Sequence, residues 1–265
     1  STGTWDITQL TDPVACIMLT MALSMKLGLA PLHFWLPEVL QGSSLKTALI
    51  IATWQKLAPM ALLYLTHHSL NTTILLTMAL ISTVTGGWGG LNQTQTRKIM
   101  AYSSIAHLGW MASVLTLSPN IMLLNLALYL MMTLSTFMLL MFSSSKTIKD
   151  LTTSWTISPT TTALMLLLLM SMAGLPPLTG FMPKWLILQD LTDHNLPLTA
   201  TLMALSALLS LFFYLRLTYM TTLTMSPTTA QNKFKWRFQP KLKTMLLTTA
   251  TVTSIMLLPI TPALI

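Results

Sequence analysis

Polar breaks divide the chain into apolar runs near residues 13–40, 46–66, 72–91, 98–117, 120–142, 160–190, 197–222 and 244–264. A helix of about 20 apolar residues crosses the roughly 30 Å of bilayer hydrocarbon, so each run predicts one crossing, eight in all. Asp12-Pro13, Ser118-Pro119 and Ser158-Pro159 punctuate three of the entries. The short loops predict a compact, all-α polytopic membrane helical bundle, one transmembrane domain over 1–265.

Runs 13–40 and 160–190 are long, and each is interrupted by the same motif. Residues 28–38 read GLAPLHFWLPE and residues 174–184 read GLPPLTGFMPK, so Gly28, Leu29, Pro31, Leu32 and Pro37 recur as Gly174, Leu175, Pro177, Leu178 and Pro183. Glycine and proline free backbone groups that hydrocarbon cannot satisfy. Such discontinuities persist where protein or water covers them, and matched interruptions in two halves of a membrane chain point to a transporter's internal repeat. The alignment pairs Glu38 with Lys184 and Lys26 with Met172, so the two lysines are not equivalent positions of the repeat.

Composition fits the same class. Charged residues are 8% and mean hydropathy is +0.67, against about 25% charged in soluble domains. The net charge of +8 has a membrane explanation and does not imply nucleic acid. Loops after the first, third, fifth and seventh runs hold Lys46, Arg97, Lys98, Lys146, Lys149, Lys233, Lys235, Arg237, Lys241 and Lys243. The opposite loops hold Asp6, Asp12, His67, His68, Asp190, Asp193 and His194, and no Lys or Arg. That asymmetry is the positive-inside pattern, and it supports both the crossing count and an orientation. Cys16 stands alone, which excludes a disulfide framework or a cysteine metal pair. The start STGTWDITQL has neither a basic segment nor a cleavage site, and it predicts a chain whose N-terminal part is missing.

Four cations remain: Lys26, Lys56, Lys184 and Arg216. Arg216 is placed to snorkel to headgroups. Lys26 lies thirteen residues into its run, roughly 20 Å deep. Lys56 is near mid-depth, and Lys184 follows the second break. A lysine at the bilayer centre costs about 2.5–3.5 kcal/mol on insertion scales. Three of them predict an interior path in which proton affinity follows partner and hydration; the bland alternative is fixed pairing or snorkelling. Glu38 is the one acid outside the loops, and it is placed to pair with Lys46 or cap the next segment. His33, within the first break, reads equally as a relay or a structural residue. His107 lies with Ser103 and Ser104 on a hydroxyl-rich face, either ordering water or packing against a neighbour while the serines bond their own helix. TGGWGG at 85–90 makes no phosphate loop, since no strand precedes it and no GK[ST] follows.

KLGLAPLHFWLPEVLQGS, TWQKLAP, GGWGGLNQTQTRKIMAYSSIAHLGWM and AGLPPLTGFMPKWLI, in this order, closely resemble the subunit-2 family of mitochondrial NADH:ubiquinone oxidoreductase (respiratory complex I), as found in vertebrates. The wider group is the antiporter-like membrane subunits, shared with multi-subunit cation/proton antiporters. The resemblance implies inverted repeats, each with one discontinuous helix. It implies that Lys26 is the lysine of the first broken helix, paired with a glutamate on an earlier helix absent here. It makes Lys56 the central lysine, Lys184 the terminal one and His107 part of a hydrated axis. It further implies proton translocation coupled to NADH oxidation by ubiquinone, in the inner mitochondrial membrane with basic loops facing the matrix. No cofactor is expected on this chain itself; NADH, FMN, iron–sulfur clusters and ubiquinone belong to the complex. The expected partners are other membrane subunits of the complex, lipid, water and protons. Two rivals stand: a sodium or potassium/proton antiporter subunit, and a structural subunit that moves no protons.

Overall fold

The computed structural model describes residues 12–223 and 245–259. Among these residues the regular structure is helical: α1 Pro13–Leu27, α2 Trp35–Gly42, α3 Leu45–Ala52, α4 Trp54–Leu65, α5 Thr72–Leu91, α6 Thr96–Val114, α7 Pro119–Ser143, α8 Ile148–Ile157, α9 Pro159–Ala173, α10 Phe181–Asp193, α11 Pro197–Leu223 and α12 Met245–Met256. Four helical segments are long and apolar enough to cross a membrane: Leu45–Leu65, Thr72–Leu91, Pro119–Ser143 and Pro197–Leu223. Three shorter apolar helices, Pro13–Leu27, Pro159–Ala173 and Leu247–Met256, accompany them. The last predicted run, 244–264, is thus described in part, and the basic residues of 233–243 lie outside the described residues.

The two copied motifs fold alike. α1 ends at Leu27 and α9 at Ala173; α2 begins at Trp35 and α10 at Phe181. Each first helix closes on a glycine in the left-handed region, Gly28 at φ 84° and Gly174 at φ 83°. A side chain there would meet its own carbonyl oxygen, which is why glycine ends the helix. The last proline of each motif, Pro37 or Pro183, sits third in the helix that follows. In the first turn its missing N–H has no intrahelical acceptor to lose.

α6 is the central helix, and all its residues are buried except Arg97, Lys98 and Tyr102. Its close neighbour is α5, approached through glycine: a Cβ at Gly86 would lie 2.6 Å from the backbone nitrogen of Ala106. α2, α7, α10 and α11 also pack on α6. At its N-terminal end the chain connections tie together. Thr96 Oγ1 donates to the Lys146 carbonyl at 3.0 Å, the Ile148 amide to Thr94 at 3.0 Å, and Arg97 to the Ser43 carbonyl. Lys46, Arg97, Lys98, Lys146 and Lys149 therefore neighbour these connections at one end of the bundle. At the other end Ser118 donates to Asp190 Oδ2 at 2.7 Å. α2 ends beside Arg97 and α10 beside Ser118, so the two interrupted pairs run in opposite directions.

Two elements depart from the sequence reading. The run 46–66 is not continuous: Thr53, at φ −115° and ψ −70°, separates α3 from α4. The segment 144–157, read as loop, contains α8. It is set by a capping box in which Thr147 Oγ1 accepts from the Asp150 amide at 3.3 Å and Asp150 accepts from the Thr147 amide at 2.9 Å.

Candidate proton-conducting site

Lys56 enters the bundle interior on the first turn of α4 and is 2% exposed. Its Nζ donates to the Tyr129 hydroxyl of α7 at 2.9 Å and lies 4.9 Å from that ring's centroid. The break beside it supplies the next partner. The Lys56 amide turns to Thr53 at 3.3 Å, which leaves the Ala52 carbonyl without its usual helical donor. The Tyr129 hydroxyl fills that place, donating to Ala52 at 3.2 Å.

On its other side the fully buried Tyr129 ring lies 5.5 Å, centroid to centroid, from His107. The Ser104 hydroxyl of α6 stands beside the Tyr129 hydroxyl. Ser104 donates to its own helix at Ala101, 2.7 Å away, and Ser103 to Met100 at 2.8 Å. Their lone pairs remain to face the row. Beyond His107 is a small cavity of about 10 Å³ whose lining includes Ser103, His107, Lys184, Ser210 and Tyr214. That is about the room one water requires. The buried Tyr214 hydroxyl stands there beside Ser103.

Lys184 closes the row. Its Nζ donates to the Ala173 carbonyl at 2.8 Å, a group that the end of α9 frees from helical bonding. It also lines an outward-opening cavity of about 640 Å³ walled by Phe181, Trp185 and Leu208. Lys56, Tyr129, His107 and Lys184 thus form one file across α4, α7, α6 and α10. Among the described residues no ion pair involves either lysine; the ion pair present is His194 with Asp190 at 3.8 Å.

Other sequence candidates fall elsewhere. Among the described residues Lys26 is exposed, on the last turn of α1. α1 buries Leu23, Ser24 and Leu27, and at about 100° per residue Lys26 falls off that stripe. His33 is buried inside the first break against Phe34, ring centroids 4.3 Å apart, and its Nδ1 has no partner. Arg216 is not a headgroup anchor; its guanidinium donates to the Leu91 and Gln93 carbonyls, capping the end of α5. A fork of donors meeting unpaired helix-end carbonyls outweighs a reach to solvent. Glu38 is exposed on the first turn of α2 and forms no ion pair with Lys46, while the N-cap of α3 is Ser44. Tyr129 and Tyr214 are the residues the sequence reading passed over. A tyrosine inside an apolar helix is the available signal, since its hydroxyl needs a partner.

Residues 6–210 match the family described as NADH:quinone oxidoreductase/Mrp antiporter, TM, and residues 211–265 match NADH dehydrogenase subunit 2 C-terminus. NADH-ubiquinone oxidoreductase chain 2 of Xenopus laevis is 59% identical over 261 residues, 98% of this chain and 76% of that one. The protein of the same name from Canis lupus is 56% identical over 262 residues, 99% of this chain and 76% of its own length. A chain in the structure of respiratory complex I from Thermus thermophilus with bound aureothin superposes with a TM-score of 0.81 at 27% identity, over 95% of this chain and 59% of that one. A chain of the Mrp complex from a Dietzia species shares the fold, with a TM-score of 0.71 at 17% identity over 86% of this chain and 46% of that one.

Proposed function

The chain belongs to the NADH:quinone oxidoreductase/Mrp antiporter family, as a relative of mitochondrial NADH-ubiquinone oxidoreductase chain 2, and from that premise we propose that its file Lys56–Tyr129–His107–Lys184 conducts protons. It is a multi-pass membrane subunit of the inner mitochondrial membrane. In this reading its apolar helices make eight crossings, with the first and sixth interrupted, and the basic loops face the matrix.

The supporting observation is the kind of partner each lysine has. A carboxylate at hydrogen-bond distance would hold an ammonium permanently charged. Here Lys56 rests on a neutral hydroxyl and Lys184 on a neutral carbonyl. Neither partner fixes the charge, so loading and unloading follow hydration and the field of nearby cations. A proton leaving Lys56 passes to the Tyr129 hydroxyl once that hydroxyl turns from the Ala52 carbonyl and gives its own proton to Ser104, whose hydroxyl proton leaves in turn toward His107. A water in the cavity between His107 and Lys184 completes the file. The 640 Å³ cavity gives Lys184 its exchange with the outside.

NADH, flavin, iron–sulfur clusters and ubiquinone are handled by other subunits of the complex in this account. Redox work reaches this chain as a change in lysine protonation and hydration. The glutamate that would serve Lys26 lies on another part of the protein, and that partner would also cover the exposed face of α1. His33 stays outside the file and holds the break.

The test against sodium or potassium antiport is ionic. The complex, reconstituted in vesicles and given NADH and ubiquinone, should acidify or alkalinise the lumen equally well in media containing only a large organic cation. Proton movement that requires sodium or potassium would favour antiport. An assembled complex with Lys184→Met that pumps normally would favour the structural subunit.

A further inference from the structure

The second break is held from outside its own helix pair, by α12. Thr179 is fully buried, and its hydroxyl donates to the Ser254 carbonyl in the last turn of α12. Ser254 is fixed in turn: α12 packs on α7 and α9, and the Ser135 hydroxyl of α7 reaches Ser254 Oγ at 3.4 Å. The next residue, Gly180, lies against α9, where a Cβ would come within 1.7 Å of the Ser171 carbonyl oxygen. Two consecutive residues thus tie the start of α10 to α12 and α9, and Lys184 is the fourth residue of α10. The first break differs at both positions. His33 and Phe34 align with Thr179 and Gly180, Phe34 is 72% exposed, and Glu38 aligns with Lys184. The Thr-Gly clasp therefore accompanies the break whose second helix carries a lysine of the file.

We propose that Thr179 is a positioning residue for Lys184, and that α12, through this hydrogen bond, sets the lysine on the Ala173 carbonyl. The inference rests on the reading of Lys184 as a proton carrier, but it concerns where the amine is held. Lys184 Nζ reaches Ala173 at 2.8 Å because the chain turns back between 174 and 180. Local backbone bonding in that turn is thin. The Leu178 amide bonds to Leu175 at 3.0 Å and the Phe181 amide to Leu178 at 3.1 Å, while Pro176 and Pro177 have no amide hydrogen to give. A segment so short of its own bonds takes its register from its anchors, and Thr179 is the anchor that uses a side chain. An N–H···O bond fades beyond about 3.2 Å, so a displacement of about 1 Å at the start of α10 would lift Lys184 from its carbonyl.

The test uses the whole complex carrying Thr179→Val, which keeps the branched shape and removes the donor, beside Thr179→Ser, which keeps the donor. A membrane-permeant acetylating reagent enters the cavity that opens onto Lys184. The acetylation rate of Lys184 relative to the exposed Lys149, read by peptide mass spectrometry, reports how the amine is held without any pumping. Thr179→Val should raise that ratio about fivefold, the factor by which one neutral hydrogen bond shifts an equilibrium, and should lower NADH-driven proton uptake to a similar extent. Thr179→Ser should leave both unchanged. So should Thr251→Val, whose hydroxyl bonds within α12 to Thr248 at 3.0 Å. An unchanged ratio in an assembled Thr179→Val complex would overturn the proposal, whether or not pumping falls. A raised ratio with pumping intact would uphold the positioning and count against Lys184 as a proton carrier. Thr179→Ala, judged by the same ratio, replaces a valine variant that fails to assemble.

Discussion

Replacing Tyr129 with Phe removes one oxygen and keeps the ring against His107. The hydroxyl accepts from Lys56 at 2.9 Å and donates to Ala52 at 3.2 Å, so both partners lose their bond at once. A hydrogen bond to a charged group contributes about 1.5–3 kcal/mol, and a buried carbonyl left unpaired costs about 1–3 kcal/mol. The two are coupled through one atom and do not simply add. If the proton passes through this oxygen, losing the first bond alone slows transfer by roughly ten- to hundredfold, at 1.36 kcal/mol per decade. The assay is NADH-driven proton uptake by the reconstituted complex, read with a lumenal pH dye alongside NADH oxidation. Tight coupling predicts that both rates fall together while assembly persists. A Tyr129→Phe complex that assembles and pumps at the unmodified rate would refute a path through Tyr129. A complex that fails to assemble would be examined as Tyr129→His, which restores a polar atom and should recover part of the rate.

Gly28→Ala and Gly174→Ala force φ near +84° and +83° on alanine, and each should lower stability by about 1–2 kcal/mol. Only Gly174→Ala should also impair pumping, because its Cβ would lie 2.9 Å from Lys184 Nζ while that of Gly28 meets Leu36 Cδ1; thermal unfolding and proton uptake separate the two effects. Arg216→Lys gives up the fork to Leu91 and Gln93 and should destabilise the α5 end by about 1–3 kcal/mol, read as faster amide exchange in the last turn of α5. Burial works to raise the Asp150 carboxyl, but the Thr147 and Lys146 amides outweigh it and hold the group below its ordinary value of 3.8. A depressed carboxyl stabilises at neutral pH and loses that contribution as pH falls through its folded value. Amide exchange in α8 should accordingly accelerate only below about pH 4, and Asp150→Asn should abolish the step.

The helix ends at Gly28 and Gly174 are legible because glycine and the prolines after it act on the backbone locally, without help from the rest of the fold. Lys56 and Lys184 are legible for an energetic reason: an ammonium kept at such depth needs polar company. For Lys26 the described residues supply no such company, because α1 turns Leu23, Ser24 and Leu27 toward them. Depth along a helix says how far a residue is from water, while the face it occupies depends on which residues of α1 meet neighbours. The discontinuity at Thr53 was not legible, since no glycine or proline marks it and the Pro59 ring acts a turn later. It becomes intelligible only with Tyr129, a partner 77 residues from Ala52 that occupies the freed carbonyl. α8 follows from a threonine and an aspartate three positions apart, a cap signal that the strong membrane pattern on either side overshadowed. Arg216 was read from its neighbours in sequence, and its function comes from carbonyls on another helix.

The central claim is that a carboxylate-free file carries protons, and Lys56 is the more enclosed of its two lysines. The direct measurement is the number of protons moved per NADH oxidised, together with both rates, in an assembled complex carrying Lys56→Met. The account predicts that proton movement falls and takes NADH oxidation down with it, because methionine keeps an unbranched side chain in place and supplies no proton to Tyr129. An assembled Lys56→Met complex with unchanged rates and an unchanged ratio would contradict it.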